Sequence, residues 1–279
     1  MSWRQSRLQF CNEVCGEDAF RWGGPNRGLM FGVWANVLML VAGLVALPFD
    51  HRIILGINPW IKPAKFEVSV IVLLLTFAVL LSALGRLGAW PRVRAILGWG
   101  LSLSMVFENG IIALQSVRGV RSHMNYTTLL DGLLFAAMGV LVALAMAQIA
   151  IVLVLYLSTK TGLPLSLTVG ICLGLATLLA GGAEGVLMIA RYGAHTVGGP
   201  DGGPGLAFVN WSTGHGDLRV AHFFALHALQ GLMIAGWMAS RIKAAPRVQV
   251  LAVAVFSSVY LGGIWMLFRQ AIHGHPLLG

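Results

Sequence analysis

The stretch Asp217 to Gln230 reads Asp-Leu-Arg-Val-Ala-His-Phe-Phe-Ala-Leu-His-Ala-Leu-Gln and continues into further apolar sequence. Residues 219–240 are long enough to cross a bilayer as one helix. Polar side chains inside such a span are costly, and they therefore mark candidate functional sites. His222, His227 and Gln230 descend from one end of this span towards its middle. The stretch thus predicts a membrane helix that carries part of a polar site.

The composition extends this interpretation to the whole chain. Of the 279 residues, 57% are hydrophobic and only 10% are charged, whereas soluble domains have roughly 25% charged residues. We therefore expect an all-α, polytopic integral membrane bundle in one domain. The formal net charge of +9 lies in short loops between apolar runs, where positive residues set orientation in the membrane. For this reason nucleic-acid binding is excluded, and the partner is the lipid bilayer.

Apolar runs of about 20 residues predict seven transmembrane helices, an outer loop at 191–218 and a C-terminal tail at 271–279. The N-terminal segment 1–28 is expected in the cytoplasm, with Cys11 and Cys15 as reduced thiols. The Gly-rich outer loop is interpreted as a mobile hairpin, and a lid over the site is the alternative. The predicted spans are 29–48, 66–85, 95–117, 129–157, 164–190, 219–240 and 247–270.

Two distributions along the chain predict its orientation. With the N-terminus inside and the C-terminus outside, eleven of the 19 Lys and Arg residues fall on the inner side, as the positive-inside rule favours. Under the same topology, all eight His residues lie in outer loops or in the outer halves of spans. The function is therefore expected at the outer face.

Charged and imidazole side chains on three spans are expected to meet in a shared interior, because burying them unpaired is expensive. An alternative is that these polar groups only join helices to one another. Asp131 follows Thr128 by three residues and is interpreted as part of a capping box. The candidate catalytic residues are Glu108, Glu184, Arg118 and Arg219, and the candidate metal ligands are His123, His222 and His227.

Two stretches resemble known sequences. Residues 115–125, with Arg-Gly and Ser-His-x-Asn, and residues 195–230, with His-Thr-Val-Gly and Gly-Asp-Leu-Arg, resemble multi-pass bacterial inner-membrane proteins of unknown function. This resemblance implies the cytoplasmic membrane of a bacterium as the location. The chain also resembles the ceramidase and adiponectin-receptor hydrolases, seven-helix zinc enzymes with three His, a Ser and an Asp. The matching residue types here are Ser122, His123, Asp131, His222 and His227, although their spacings depart from that pattern.

The residue types favour a metal-dependent membrane enzyme, since mixed imidazole and carboxylate ligation suits zinc or iron. With zinc, a bound water would attack a lipid-like ester or amide while a carboxylate moves the proton. With iron, the reaction on a lipid-like or small-molecule substrate would be oxidative. A haem with His123 and His222 as axial ligands is not excluded. The oligomeric state stays open.

Two other functions fit the same residues. The first is a proton- or ion-coupled transporter in which Glu108, Glu184 and His227 form a relay. Such a transporter should also carry polar residues along the inner half of the membrane, where the sequence offers little beyond Gln148 and Ser82. The second is a structural subunit whose polar residues lock helices together.

Overall fold

Helices make up most of this chain. The computed structural model describes residues 19–20, 24, 26–85 and 90–278, and within them it contains eight α-helices. Cys11, Cys15 and most of the predicted segment 1–28 lie outside the described residues. The helices are α1 Arg27–Ala46, α2 Ile61–Gly85, α3 Pro91–Arg118, α4 Leu129–Ser158, α5 Leu165–Leu187, α6 Leu218–Leu226, α7 Ala228–Ser240 and α8 Pro246–Ile272.

Six of these helices are long and apolar enough to cross a membrane. Helices α6 and α7 together make a seventh candidate span, which bends by 44° between them. A helix satisfies its backbone hydrogen bonds internally, so it can cross hydrocarbon where an open strand cannot. The chain is therefore an all-α, multi-pass membrane protein, and the predicted fold class is confirmed. The predicted orientation stays a prediction.

Two of the predicted helices differ from those in the structure. Helix α2 begins at Ile61 instead of residue 66, because Lys62 and Lys65 can extend their charged ends away from an apolar helix without ending it. The expected single helix at 219–240 is two helices. His227 interrupts it with φ −92° and ψ 2°, outside the helical range in ψ.

The chain divides into two compact units. Unit 1 comprises Met1–Arg52 and Asn58–Gln148, and unit 2 comprises Ile53–Ile57 and Ile149–Gly279. Helix α4 belongs to unit 1 as far as Gln148 and to unit 2 from Ile149 onwards. Each unit has its own buried helix packing.

In unit 1, helices α1, α2 and α3 pack against one another. Their closest approach is at Gly32 on α1, where an added Cβ would meet the Ser102 hydroxyl of α3 and lie 2.8 Å from Leu74 Cδ1 of α2. Just before the start of α1, the Asn26 side chain donates to Ser82 Oγ at 2.7 Å and to the Ala78 carbonyl at 3.0 Å. The three helices are thus joined by polar groups as well as by apolar packing.

In unit 2, helix α5 packs most extensively on α7. An added Cβ at Gly170 would meet the Leu232 carbonyl, and one at Gly174 would lie 2.7 Å from Leu229 Cα. On the facing helix, an added Cβ at Gly236 would lie 2.6 Å from the Ser166 carbonyl oxygen. Small residues at these positions let the two backbones come into direct contact, as in other membrane helix pairs.

The outer loop of unit 2 contains a short antiparallel pair, β1 Thr196–Val197 and β2 Gly216–Asp217. Thr196 is opposite Asp217 in the register. The loop also contacts the segment Ile53–Ile57 of the same unit, since Asn210 Nδ2 donates to the Leu55 carbonyl at 2.9 Å. The predicted hairpin is therefore present, and its role as a lid stays a prediction.

Candidate functional site

A cluster around His123 lies in unit 1, in the loop between α3 and α4. The Nδ1 atom of His123 is 3.1 Å from Lys62 Nζ and 3.0 Å from Ser122 Oγ. The Nε2 atom is 3.9 Å from Oε1 of Glu108. The imidazole therefore lies between an ammonium group on α2 and a carboxylate on α3.

The Lys62 contact determines which nitrogen of His123 carries the proton. An ammonium group is only a donor, so the Nδ1 atom that it faces must act as the acceptor. A neutral imidazole that accepts at Nδ1 carries its hydrogen on Nε2, which is the nitrogen that faces Glu108. This tautomer leaves no lone pair on Nε2 and places a cation beside Nδ1. The arrangement fits proton transfer better than metal ligation.

Aromatic rings surround the His123 imidazole. The ring centroid of Phe66 lies 5.7 Å from that of His123, and the Phe135 centroid lies 6.1 Å from it. The Lys62 ammonium also lies 5.7 Å from the Phe66 centroid, within cation–π range. These rings limit access of water, and this strengthens the electrostatic interaction between the charged groups.

The loop that carries His123 is held at both ends. Helix α3 ends at Gly119, whose φ of +74° lies in the left-handed region that glycine adopts without strain. At the start of α4, Asp131 N donates to Thr128 Oγ1 at 3.1 Å, which confirms the predicted capping interaction. Asp131 also accepts from Arg118 at 2.5 Å and from Gln115 Nε2 at 3.0 Å. Arg118, a predicted catalytic residue, thus holds the ends of α3 and α4 together.

A line of buried polar side chains continues from Glu108 into unit 1. Glu108 is only 4% exposed, and its Oε2 has no hydrogen-bond partner among the described residues. The neighbouring Asn109 donates from Nδ2 to Asn36 Oδ1 at 2.6 Å, and Asn36 Nδ2 donates to the Gly32 carbonyl at 2.8 Å. The buried Ser102 hydroxyl lies next to Gly32. The buried polar side chains of unit 1 therefore extend beyond the Gln148 and Ser82 named from the sequence.

Glu67 on α2 is a buried acid that the sequence analysis missed. It is 0% exposed, and neither of its carboxylate oxygens has a hydrogen-bond partner in the described part of the chain. The predicted span began at residue 66, so Glu67 counted as an end residue. The lysines at positions 62 and 65 could have indicated the burial of Glu67. Their long side chains can reach away from an apolar helix, so the helix can begin before them and place Glu67 in its buried part.

In unit 2, two of the predicted site residues have structural partners. Arg219 Nε and Nη2 donate to the two carboxylate oxygens of Asp217, at 2.9 and 2.6 Å. Asp217 caps the start of α6 through Arg219 N. The Nδ1 atom of His222 lies 2.8 Å from the Gly181 carbonyl oxygen and pairs α6 with α5. Arg219 and His222 thus hold the start of α6 in place.

Two further predicted site residues of unit 2 have other surroundings. His227 occupies the break between α6 and α7, and its ring centroid lies 4.5 Å from that of Phe223. Near the break, the Tyr260 hydroxyl of α8 donates to the Phe224 carbonyl at 2.8 Å. Glu184 on α5 keeps one buried oxygen, Oε1, without a hydrogen-bond partner among the described residues.

The predicted metal ligands are not brought together. Within residues 19–20, 24, 26–85 and 90–278, no three His, Cys, Asp or Glu side chains form a group that could hold a metal ion. His222 and His227 are five residues apart and so leave α6 in different directions. One lies against the Gly181 carbonyl and the other packs on Phe223.

Two carboxylates outside the spans have shifted pKa values. Burial alone would raise the pKa of Asp201, but hydrogen bonds from His195 and Thr196 outweigh it and hold the pKa well below its usual range. The His195 Nδ1 to Asp201 Oδ2 distance is 2.6 Å. In unit 1, the hydrogen bond from the Arg52 side chain holds the pKa of Asp50 well below its usual range. Both acids therefore act as charged anchors of loops.

Comparison of the chain with protein-family models, with curated proteins and with solved structures finds no match.

Proposed function

We propose that this protein moves protons across a bacterial cytoplasmic membrane through unit 1. The observation that carries the proposal is the Lys62–His123–Glu108 relay. In it, Nδ1 of one imidazole faces an ammonium group at 3.1 Å and Nε2 faces a buried carboxylate at 3.9 Å. Glu108 lies inside a candidate membrane span, and ionisable residues at such positions are typical of proton pathways.

The relay transfers a proton in two balanced steps. The Lys62 ammonium gives a proton to Nδ1 of His123, and the imidazolium so formed gives its Nε2 proton to Oε1 of Glu108. Lys62 and Glu108 both end neutral, and His123 ends as the tautomer protonated on Nδ1. The 3.9 Å gap closes to hydrogen-bond distance by a small side-chain rotation. After the two steps both Lys62 and Glu108 are neutral, so no unpaired ion is left in the low-dielectric interior.

The buried side chains beyond Glu108 support a path that continues through the membrane. Asn109, Asn36 and Ser102 follow one another along α3 and α1, and Asn26 with Ser82 lies near the opposite end of the unit. Hydroxyl and amide groups both donate and accept, so they can carry protons with intervening waters. Unit 1 gives less support to a zinc or iron enzyme with a lipid-like substrate. A metal-binding imidazole donates its other ring N–H to an acceptor, but the Nδ1 atom of His123 faces the Lys62 ammonium, which is a donor.

Proton flux into proteoliposomes tests the proposal. A potassium diffusion potential, negative inside, is applied to vesicles that contain purified protein and a pH-sensitive dye. We expect the wild-type vesicles to acidify faster than protein-free vesicles, and Glu108→Gln and His123→Gln to slow the flux by about tenfold or more. His51→Gln, a change at an exposed loop histidine of unit 1, should keep the wild-type rate. A wild-type rate equal to that of empty vesicles, or an unchanged rate in Glu108→Gln, would overturn the proposal.

A further inference from the structure

Several buried oxygen atoms in the described part of unit 1 have no hydrogen-bond partner. Three of them are both carboxylate oxygens of Glu67 and Oδ1 of Asn109, and both residues are 0% exposed. The amide orientation follows from the network: Asn36 Nδ2 donates to the Gly32 carbonyl, so Asn36 Oδ1 accepts and Asn109 must present Nδ2 to it. Asn109 Oδ1 is thereby left pointing elsewhere. Buried acceptors without donors cost free energy unless something else binds them.

The helix packing places these oxygens at the same level. Leu74 of α2 and Ser102 of α3 meet at Gly32 of α1. Helices α2 and α3 run in opposite directions. Glu67 lies seven residues before Leu74 on α2, and Asn109 lies seven residues after Ser102 on α3, so both lie about 10.5 Å, or two turns, from the Gly32 level towards the same end of the unit. Two turns also keep each residue within about 20° of the helix face that meets α1. Glu67 and Asn109 therefore belong to one layer of the three-helix interior.

The charges in this layer select the kind of ligand. Glu67 supplies one negative charge and Asn109 a neutral carbonyl oxygen, while the nearby Glu108 already faces the imidazole of His123, which Lys62 contacts. Oxygen ligands bind hard cations. A divalent ion would need further carboxylates, and within the described residues no group of three acidic, His or Cys side chains exists to hold one. One carboxylate with neutral oxygens fits a monovalent cation.

We propose that Glu67 and Asn109 bind a monovalent cation inside unit 1, two turns from the Gly32 layer, and sodium is the probe for this site. This inference deepens the proposed function, on which its role as the coupling ion rests: the cation would be the second ion that moves with the proton. The binding site itself requires only the buried oxygens and their shared layer.

Direct binding of radioactive sodium to purified protein in detergent tests the site without any membrane gradient. We expect saturable binding by the wild type that excess unlabelled sodium displaces. Glu67→Gln removes the charge while keeping the shape, and it should reduce affinity by about tenfold or more, the effect of losing about 1.4 kcal/mol. Asp201→Asn removes a carboxylate from the hairpin of unit 2 and should bind sodium as the wild type does.

The outcomes separate the two proposals. Sodium binding that is absent from the wild type or equal in Glu67→Gln overturns the cation site. Where Glu67→Gln fails to fold, Asn109→Ala serves instead, and it should weaken binding less because it removes only a neutral ligand. Sodium binding together with no proton flux leaves the site standing and rejects the proposed function. Proton flux together with no sodium binding rejects the cation site and leaves the proposed function standing.

Discussion

Nη1 of Arg118 and Oδ1 of Asp131 lie 2.5 Å apart, one at the end of α3 and the other in the first turn of α4. Gln115 joins the same pair through both ends of its amide. The three side chains close the loop that carries His123, so the position of the imidazole depends on an ion pair that it does not touch.

Breaking this ion pair should destabilise unit 1. Asp131→Asn replaces one of two buried acceptor oxygens by an amide donor, and it removes the counter-charge of Arg118, whose side chain is 30% exposed. We expect the thermal midpoint in detergent to fall by several degrees. Arg121→Gln, in the same loop but at an exposed position, should leave the midpoint unchanged. Equal midpoints for Asp131→Asn and wild type would show that the loop is held by other contacts.

The Asp201 anchor should make the hairpin of unit 2 sensitive to acid. Its pKa is lowered in the folded state, so its contribution is fully present above the unfolded value of about 3.9 and is lost as pH falls through the lower folded value. The stability difference between wild type and Asp201→Asn should therefore shrink as the pH falls below about 4. Thermal midpoints measured from about pH 4 downwards test this, and a difference that grows in that range would contradict this assignment.

Glycines of α5 should tolerate no added methyl group where they meet α7. In Gly174→Ala the new Cβ would lie 2.7 Å from Leu229 Cα, and backbone cannot move aside cheaply. We expect a loss of about 1–3 kcal/mol, as for other overpacked sites. In Gly262→Ala on α8 the added methyl meets nothing within 4 Å, and better helix propensity should stabilise by about 0.5–1 kcal/mol. Opposite signs of the two shifts in thermal midpoint are the expected result.

The hydroxyl of Tyr260 should stabilise the break in the sixth span. Tyr260→Phe removes the hydrogen bond to the Phe224 carbonyl, and we expect a cost of about 0.5–1.5 kcal/mol. Amide hydrogen exchange should become faster in residues 224–231 and stay unchanged in α5. Tyr126→Phe, at a residue 65% exposed, is the matched control. Identical exchange in Tyr260→Phe and wild type would mean that the break needs no support from α8.

The predicted orientation can be tested with single cysteines in a variant that lacks the three native ones. Gly203→Cys lies in the hairpin loop, where an added side chain meets no atom within 4 Å, and it should react with an impermeant thiol reagent in intact cells. Lys243→Cys, exposed between α7 and α8, should react only after the cells are opened. The reverse pattern would place the N-terminus outside.

The number of spans was predictable because each apolar run exceeds the thickness of hydrocarbon, and local sequence suffices for that. Pairings were not. Lys62 and His123 are 61 positions apart, and no local pattern indicates that an interfacial lysine turns towards a loop imidazole. The capping of Asp131 by Thr128 was predictable since it involves three residues of spacing, whereas the longer-range partner, Arg118, was assigned to catalysis.

The interruption at His227 has no sequence signal either, since neither proline nor glycine occupies that position. Its hydrogen bonding becomes visible only when α8 brings Tyr260 beside it. Glu67 was missed for a related reason. The two preceding lysines lower the local hydropathy, so the predicted span begins at residue 66, whereas the helix itself begins at Ile61 and includes them.

The interruption at His227 also has an electrical consequence. The carboxyl end of α6 and the amino end of α7 meet there, and helix ends carry partial charges of opposite sign. Because the two partial charges are separated by a single residue, each serves as the counter-charge of the other, and the joint requires no bound ion. The sixth span therefore bends by 44° without an uncompensated helix end at the break.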